Sequence, residues 1–369
     1  MKTAIVYDRV NKWGGAERVL LALHELFPEA PLYTSVYDPT KAPWAKVFPK
    51  VIPSFLQNIA FTHDKHELLA PLMPIAFETF DFSGYELVIS VTSEAAKGII
   101  TKPPTLHVCY CLTPTRYLWS HYKEYFKGGT FKDITRPLVS YLRAWDKIAA
   151  QRPDEMIGIS TAVQARIKKY YGRESELIYP PVEIKKFEEP NRKSEKKKFN
   201  YYLIVSRLVK YKKVNLVVET FNELGLPLIV VGTGSEESKL KSRSNKNITY
   251  KGLVSEEELI SLYQGAKAFI FPQDEDFGIT AVEAQSAGVP IIAYKSGGAL
   301  DIIDDPSTSS GRFATGVFFE KQTKESLINA IQRFEKKMSF DKRDLVKNAS
   351  RFSKERFKGE FLDLIKRKV

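Results

Sequence analysis

The chain has 369 residues, 43% hydrophobic and 27% charged, with a formal net charge of +12. That length exceeds one ordinary core and suits two domains, and the balance is that of a globular chain rather than a disordered one. No apolar run approaches the roughly 18 residues that a spanning helix needs, and two cysteines, Cys109 and Cys111, exclude a disulfide framework.

The first predicted element is a strand from Thr3 to Tyr7. Its apolar run is short for a secretory leader and has no small-residue cleavage site after it, so the expected location is cytoplasmic. Gly14 and Gly15 then precede a predicted helix from Glu17 to Leu26. Further strands are predicted from Leu87 to Val91 and from Leu106 to Cys111. Cys109 and Cys111 lie two apart on that last strand, share one face, and read as buried thiols. His107, on the same strand, reads as structural. Lys185 to Lys198 is a lysine-rich stretch that reads as a solvated linker, with Pro180, Pro181 and Pro190 marking the division between halves.

The second half alternates more regularly. Tyr201 to Val205 is a short apolar run of the kind found in buried parallel strands. Leu216, Val217, Val218, Phe221 and Leu224 fall at helical spacing, and Gly225 supplies a stop. Strands follow from Leu228 to Val231, Ile248 to Lys251, Ala268 to Phe271 and Pro290 to Ala293, with helices from Glu256 to Gln264 and Thr280 to Ala287 between them. Such alternation implies parallel sheets wound on both faces. The predicted fold is α/β, with two Rossmann-like doubly wound domains facing a cleft. Residues 1–184 form the first and 199–345 the second, and 346–369 form a helix that packs back on the first.

Net charge of this size suits nucleic acid, an anionic membrane surface or phosphate-bearing small molecules. The most specific segment runs from Phe271 to Glu283 and passes from a strand through Gln273-Asp274-Glu275-Asp276-Phe277-Gly278 into a helix. Such a junction presents backbone N–H groups and a positive dipole end, which suits a diphosphate. Gly278 permits close backbone approach. Glu283, about a turn into the helix, can accept hydrogen bonds from a ribose diol, and Glu275 can reach a sugar hydroxyl from the loop. Glu275 and Asp276 could instead be helix N-terminal acids that complement the dipole.

Glu275 and Glu283, with seven residues between them, resemble the E-x7-E signature of the retaining GT-B glycosyltransferases, in particular family 4. Ser206-Arg207-Leu208-Val209-Lys210-Tyr211-Lys212 resembles that family's diphosphate motif, and Gly232-Thr233-Gly234 its glycine loop. Gly297-Gly298 precedes Asp301, where the family more often has Glu, and Gly14-Gly15-Ala16-Glu17-Arg18 resembles its donor-facing loop. The resemblance implies a nucleoside diphosphate sugar as co-substrate, with no metal and no other cofactor. It implies that Arg207 and Lys212 neutralise the leaving diphosphate, that Glu275 acts at the sugar, and that Glu283 binds the donor. Gly15, Gly232, Gly234, Phe277, Gly278 and Ile279 would supply donor contacts, Gly15 from across the cleft. It further implies that the leaving phosphate takes the acceptor proton, so no covalent nucleophile is named.

Leu106 to Trp119 resembles a subgroup with a C-x-T-P-x-R-Y-x-W pattern that includes mannosyltransferases of polysaccharide assembly. This makes mannose from GDP-mannose the expected donor and a saccharide or lipid-linked saccharide the expected acceptor. Arg116, Tyr117 and Trp119 become candidate sugar contacts, or else loop packing. Where many members carry a histidine, this chain has Leu112, so no role transfers there.

Other signals are weaker. Asp274-Glu275-Asp276 looks like a D-x-D metal motif but sits in the wrong context, and His63 and His66 lack further zinc ligands. Tyr122, Tyr125, Phe126 and Trp145 mix with Lys123, Lys127, Lys132 and Arg143, as on a membrane interface or a packed helix pair. A sugar-nucleotide epimerase would share the fold. A nucleic-acid-binding protein would share the charge, but no recognised module for it is visible, so no nucleic acid partner is expected.

Overall fold

The computed structural model describes residues 1–59, 69–120, 122, 129–188, 200–305, 314–337 and 339–369, and the side chains of 123–135 are not among those described. His63, His66, Lys123, Tyr125, Phe126, Lys127, the Lys132 side chain and Pro190 therefore lie outside the described set. The chain separates into two compact units, one of Met1–Tyr179 with Phe357–Val369, the other of Pro180–Arg356.

The first unit carries a seven-stranded sheet. Its strands are β1 (Thr3–Tyr7), β2 (Leu32–Thr34), β3 (Val51–Pro53), β4 (Leu87–Thr92), β5 (Leu106–Cys111), β6 (Glu155–Gly158) and β7 (Glu176–Leu177). They lie in the order β3-β2-β1-β4-β5-β6-β7, and every pairing is parallel. Parallel strands are covered on both faces, so β1 and β4 are mostly apolar and are buried along their whole length. Cys109 and Cys111 are free and buried in β5. His107 is also buried there, with its Nε2 2.8 Å from the Ser90 hydroxyl. The last helix, Lys354–Lys368, brings Phe357 edge-on to Tyr110 at 5.7 Å within this unit.

The second unit has a six-stranded sheet of β8 (Tyr201–Val205), β9 (Leu228–Val231), β10 (Ile248–Gly252), β11 (Ala266–Phe271), β12 (Ile291–Tyr294) and β13 (Gly316–Phe319). The order is β10-β9-β8-β11-β12-β13, again all parallel. The Val214–Leu224 helix turns Val217, Val218 and Phe221 into the core and stops at Gly225, whose φ of 66° closes the last turn.

In both sheets the strand order reverses beside the first strand, between β1 and β4 and between β8 and β11. Loops at such a reversal diverge and leave a crevice beyond the carboxyl ends of the strands. The solvated-linker reading fails at Lys185–Glu188, which is a short helix. Phe187 is the reason: it is buried, edge-on to Tyr263 at 5.5 Å, and its carbonyl accepts from Gln264 Nε2 at 3.1 Å. One apolar side chain anchors a lysine-rich segment.

Candidate functional site

At the reversal in the second unit, β8 leads into the loop carrying Arg207 and Lys212, and β11 leads into the loop carrying Glu275. The topology brings them together: Lys212 Nζ forms an ion pair with Glu275 Oε1, the two side chains 12% and 22% exposed. Arg207 is exposed and its Nη2 donates to the Tyr211 hydroxyl at 2.5 Å. The Tyr211 ring lies 6.0 Å from the Arg207 guanidinium and 5.1 Å from Lys212 Nζ. Two cations thus flank one aromatic ring beside the strand-order reversal. Gln273, two residues before Glu275, is 3% exposed, and its Oε1 is buried without a partner among the described residues.

Glycines set the loops in place. Gly232 has φ 124°, and a Cβ there would lie 2.0 Å from the Ser206 carbonyl oxygen; one on Gly234 would lie 2.3 Å from that of Leu208. The Leu208 N–H donates to the Thr233 carbonyl at 2.8 Å, and the Glu236 N–H to the Leu208 carbonyl at 2.9 Å. The glycine loop after β9 therefore holds the Arg207 loop by backbone contact. Gly297 and Gly298 do the same for the acidic loop, with the Gly298 N–H donating to the Glu275 carbonyl at 2.9 Å.

Gly278 begins the Ile279–Ser286 helix at φ 124°, and no side chain caps that end. Phe277 and Gly278 are buried, whereas Ile279 and Thr280 are half-buried, which leaves the start of the helix within reach of a ligand. Glu283 is 2% exposed, and Tyr263 OH donates to its Oε2 at 3.0 Å. Arg207, Lys212, Glu275, Phe277, Gly278, Ile279 and Glu283 thus lie on the two segments that follow β8 and β11, and Gly232 and Gly234 on the loop after β9. Asp301 lies in the short Ala299–Ile302 helix after Gly298.

The remaining predicted site residues belong to the first unit. Gly15 is the exposed first residue of the Gly15–Leu26 helix. Trp119 is held on edge and face: its Nε1 donates to Asp146 Oδ2 at 2.7 Å, and its ring stacks on Tyr170 with centroids 5.2 Å apart. Arg116 and Tyr117 are half-buried, and burial followed by the nearby Glu94 charge pushes the Tyr117 phenol well up.

Sequence reasoning passed over the charges at this unit's own reversal. The Asp8 carboxylate, just past β1, accepts from the backbone N–H groups of Ser93, Glu94, Ala95 and Ala96 and from the Thr92 hydroxyl. Arg9 pairs with Glu94. Lys97 pairs with Asp146 at 2.6 Å, both 1% exposed, and Thr115 Oγ1 donates to the same carboxylate at 3.1 Å. Burial works against the Lys97 charge, but Asp146 outweighs it and the lysine is held protonated. The available signal was positional: Asp8, Arg9, Glu94 and Lys97 directly follow the two strands that flank the reversal. Among the described residues no group of three or more His, Cys, Asp or Glu side chains is arranged to hold a metal ion.

Residues 185–352 match the family model of glycosyl transferases group 1, and so contain every predicted site residue of the second unit. The chain is similar to glycosyltransferases. It is 24% identical over 196 residues to D-rhamnosyltransferase WbpZ of Pseudomonas aeruginosa, covering 50% of each chain. It is 24% identical over 287 residues to a probable sucrose-phosphate synthase of Thermosipho melanesiensis, 71% of this chain and 65% of that one. A GDP-mannose-dependent alpha-mannosyltransferase of Corynebacterium glutamicum is 31% identical over 102 residues, 27% of this chain and 24% of the relative. The matches thus span from about a quarter to under two thirds of these relatives' lengths. In structure, HepE of Anabaena in complex with UDP aligns with a TM-score of 0.73 at 17% identity, over 99% of this chain and all of that one. At that identity the likeness shows the fold, two parallel-sheet α/β domains of the GT-B kind.

Proposed function

We propose that the protein is a retaining glycosyltransferase that moves mannose from GDP-mannose to a saccharide or lipid-linked saccharide acceptor. The observation that carries this reading is the meeting of Lys212 and Glu275 at the reversal of the second sheet, beside an uncapped helix that leads to buried Glu283. The uncapped N–H groups at Ile279 suit a diphosphate. Arg207 and Lys212 stand where negative charge grows as the glycosidic bond breaks, and cations fixed there stabilise that charge in the transition state. In this reading Glu283 binds the ribose and Glu275 binds a sugar hydroxyl. The acceptor hydroxyl attacks the anomeric carbon on the face that the phosphate leaves, and the departing phosphate takes the hydroxyl proton, so retention requires no protein nucleophile. The relatives that act on mannose and rhamnose support a hexose donor.

The acceptor is presented at a membrane in this reading. The Gly129–Ala149 helix exposes Leu138, Tyr141 and Ile148, flanked by exposed Arg136 and Lys147, a combination that suits an anionic lipid surface. Sedimentation with anionic vesicles tests this part, and absence of binding at low salt would remove it. Donor chemistry is tested separately by proton NMR of slow GDP-mannose hydrolysis. α-Mannose released first supports retention, whereas β-mannose released first, or no turnover with any sugar nucleotide, rejects it.

A further inference from the structure

We infer that Arg9 and Glu94 form a binding site for saccharide hydroxyls at the strand-order reversal of the first unit. The inference rests on the transferase reading and names the residues that would hold the acceptor sugar.

The neighbouring charges have structural duties. Asp8 takes four backbone N–H groups and one hydroxyl, which fixes the chain from Thr92 to Ala96. Lys97 and Asp146 are sealed from solvent and tied to Thr115 and Trp119. Arg9 and Glu94 differ. Their side chains remain 12% and 14% exposed, and they lie at the ends of β1 and β4, where the diverging loops open a crevice. The Asp8 bonds to the N–H groups of Glu94, Ala95 and Ala96 hold the Glu94 backbone still, so the carboxylate is presented from a rigid base.

The chemistry selects a neutral polyol. A guanidinium has about five donors and a carboxylate about four acceptor positions, and their mutual ion pair leaves both with capacity toward a vicinal diol. The groups facing Glu94 are Arg9, Asp8 and Lys12 from the first strand and its loop, and Tyr117 from the loop after β5. The two cations and two carboxylates there cancel, so the crevice floor offers a phosphate no net attraction. Burial pushes the Glu94 carboxyl up, Arg9 pulls it back, and the Asp8 charge adds to the rise.

Saturation-transfer NMR with methyl α-mannopyranoside, methyl α-glucopyranoside and methyl α-galactopyranoside tests the site. The wild type is expected to give signal with at least one glycoside. Glu94→Gln and Arg9→Gln are expected to lower it at least tenfold while keeping the melting-temperature shift with nucleoside diphosphate. The double exchange Arg9→Glu with Glu94→Arg restores the ion pair and the fold but reverses the groups offered to ligand. It is expected to melt like the wild type and still lose the glycoside. No wild-type signal with any of the three sugars, or full signal in the folded exchange variant, overturns the inference. If no nucleoside diphosphate shifts the wild type, the transferase reading falls and this inference with it.

Discussion

Replacing Glu275 with Gln should tighten nucleoside diphosphate binding while impairing transfer. Without ligand, Lys212 is neutralised by Glu275, so an arriving phosphate must take the lysine from the carboxylate and then sit beside that carboxylate. Two unit charges about 6 Å apart at an effective dielectric of about 20 interact by about 3 kcal/mol. Both side chains retain some exposure, which reduces the effect by about half through screening. The remaining ~1.4 kcal/mol is about a tenfold change in Kd. Calorimetric titration of GDP into the wild type, Glu275→Gln, Lys212→Ala and the double variant separates the pair from simple repulsion. The expected result is about tenfold tighter binding in Glu275→Gln. Equal or weaker binding in Glu275→Gln would refute the reasoning. A gain that shrinks in the Lys212→Ala background assigns it to competition for the lysine, and a full tenfold gain there assigns it to repulsion by the carboxylate.

Gly278→Ala places a Cβ at φ 124° and 2.8 Å from the Phe271 ring, so it should cost about 1–3 kcal/mol and lower the melting temperature by several degrees; an unchanged melt contradicts the assigned backbone. Tyr263→Phe removes the hydroxyl that Glu283 accepts, with an expected loss of about 1–3 kcal/mol in chemical denaturation and weaker GDP binding. His107 is held neutral by burial, then by Arg173 and Arg152, with its pKa lowered to about 3. Between that value and an unfolded pKa of about 6.5 only the unfolded chain binds the proton. Stability contributed by His107 should therefore be intact above pH 6.5 and fall by about 2 kcal/mol by pH 5, a slope that His107→Gln should flatten in urea titrations.

Legibility in the sequence followed the density of apolar residues. The strands from Leu106 to Cys111, Tyr201 to Val205 and Leu228 to Val231 appear with the predicted limits, because a parallel strand covered on both faces is an unbroken apolar run. The strands Leu32–Thr34, Val51–Pro53 and Glu176–Leu177 are too short for any periodicity, and pairing with a neighbour creates them. Arg207, Lys212, Glu275 and Glu283 could be proposed because each pair falls within one short segment that resembles a family motif. The Arg9–Glu94 and Lys97–Asp146 pairs were not, because each joins residues far apart in the chain that only the sheet order brings together. The same holds for Tyr263, whose bond to Glu283 depends on the packing of two helices.

A thermal-shift panel of UDP, GDP and ADP tests whether the reversal of the second sheet is a nucleoside diphosphate site. Ligand at about a hundred times its Kd adds about 2.7 kcal/mol, or roughly 5–10 °C for a unit of this size. A shift of that order is expected with GDP, reduced in Lys212→Ala and in Glu283→Ala. No shift with any of the three at millimolar concentration, or a shift equally large in both variants, would contradict it.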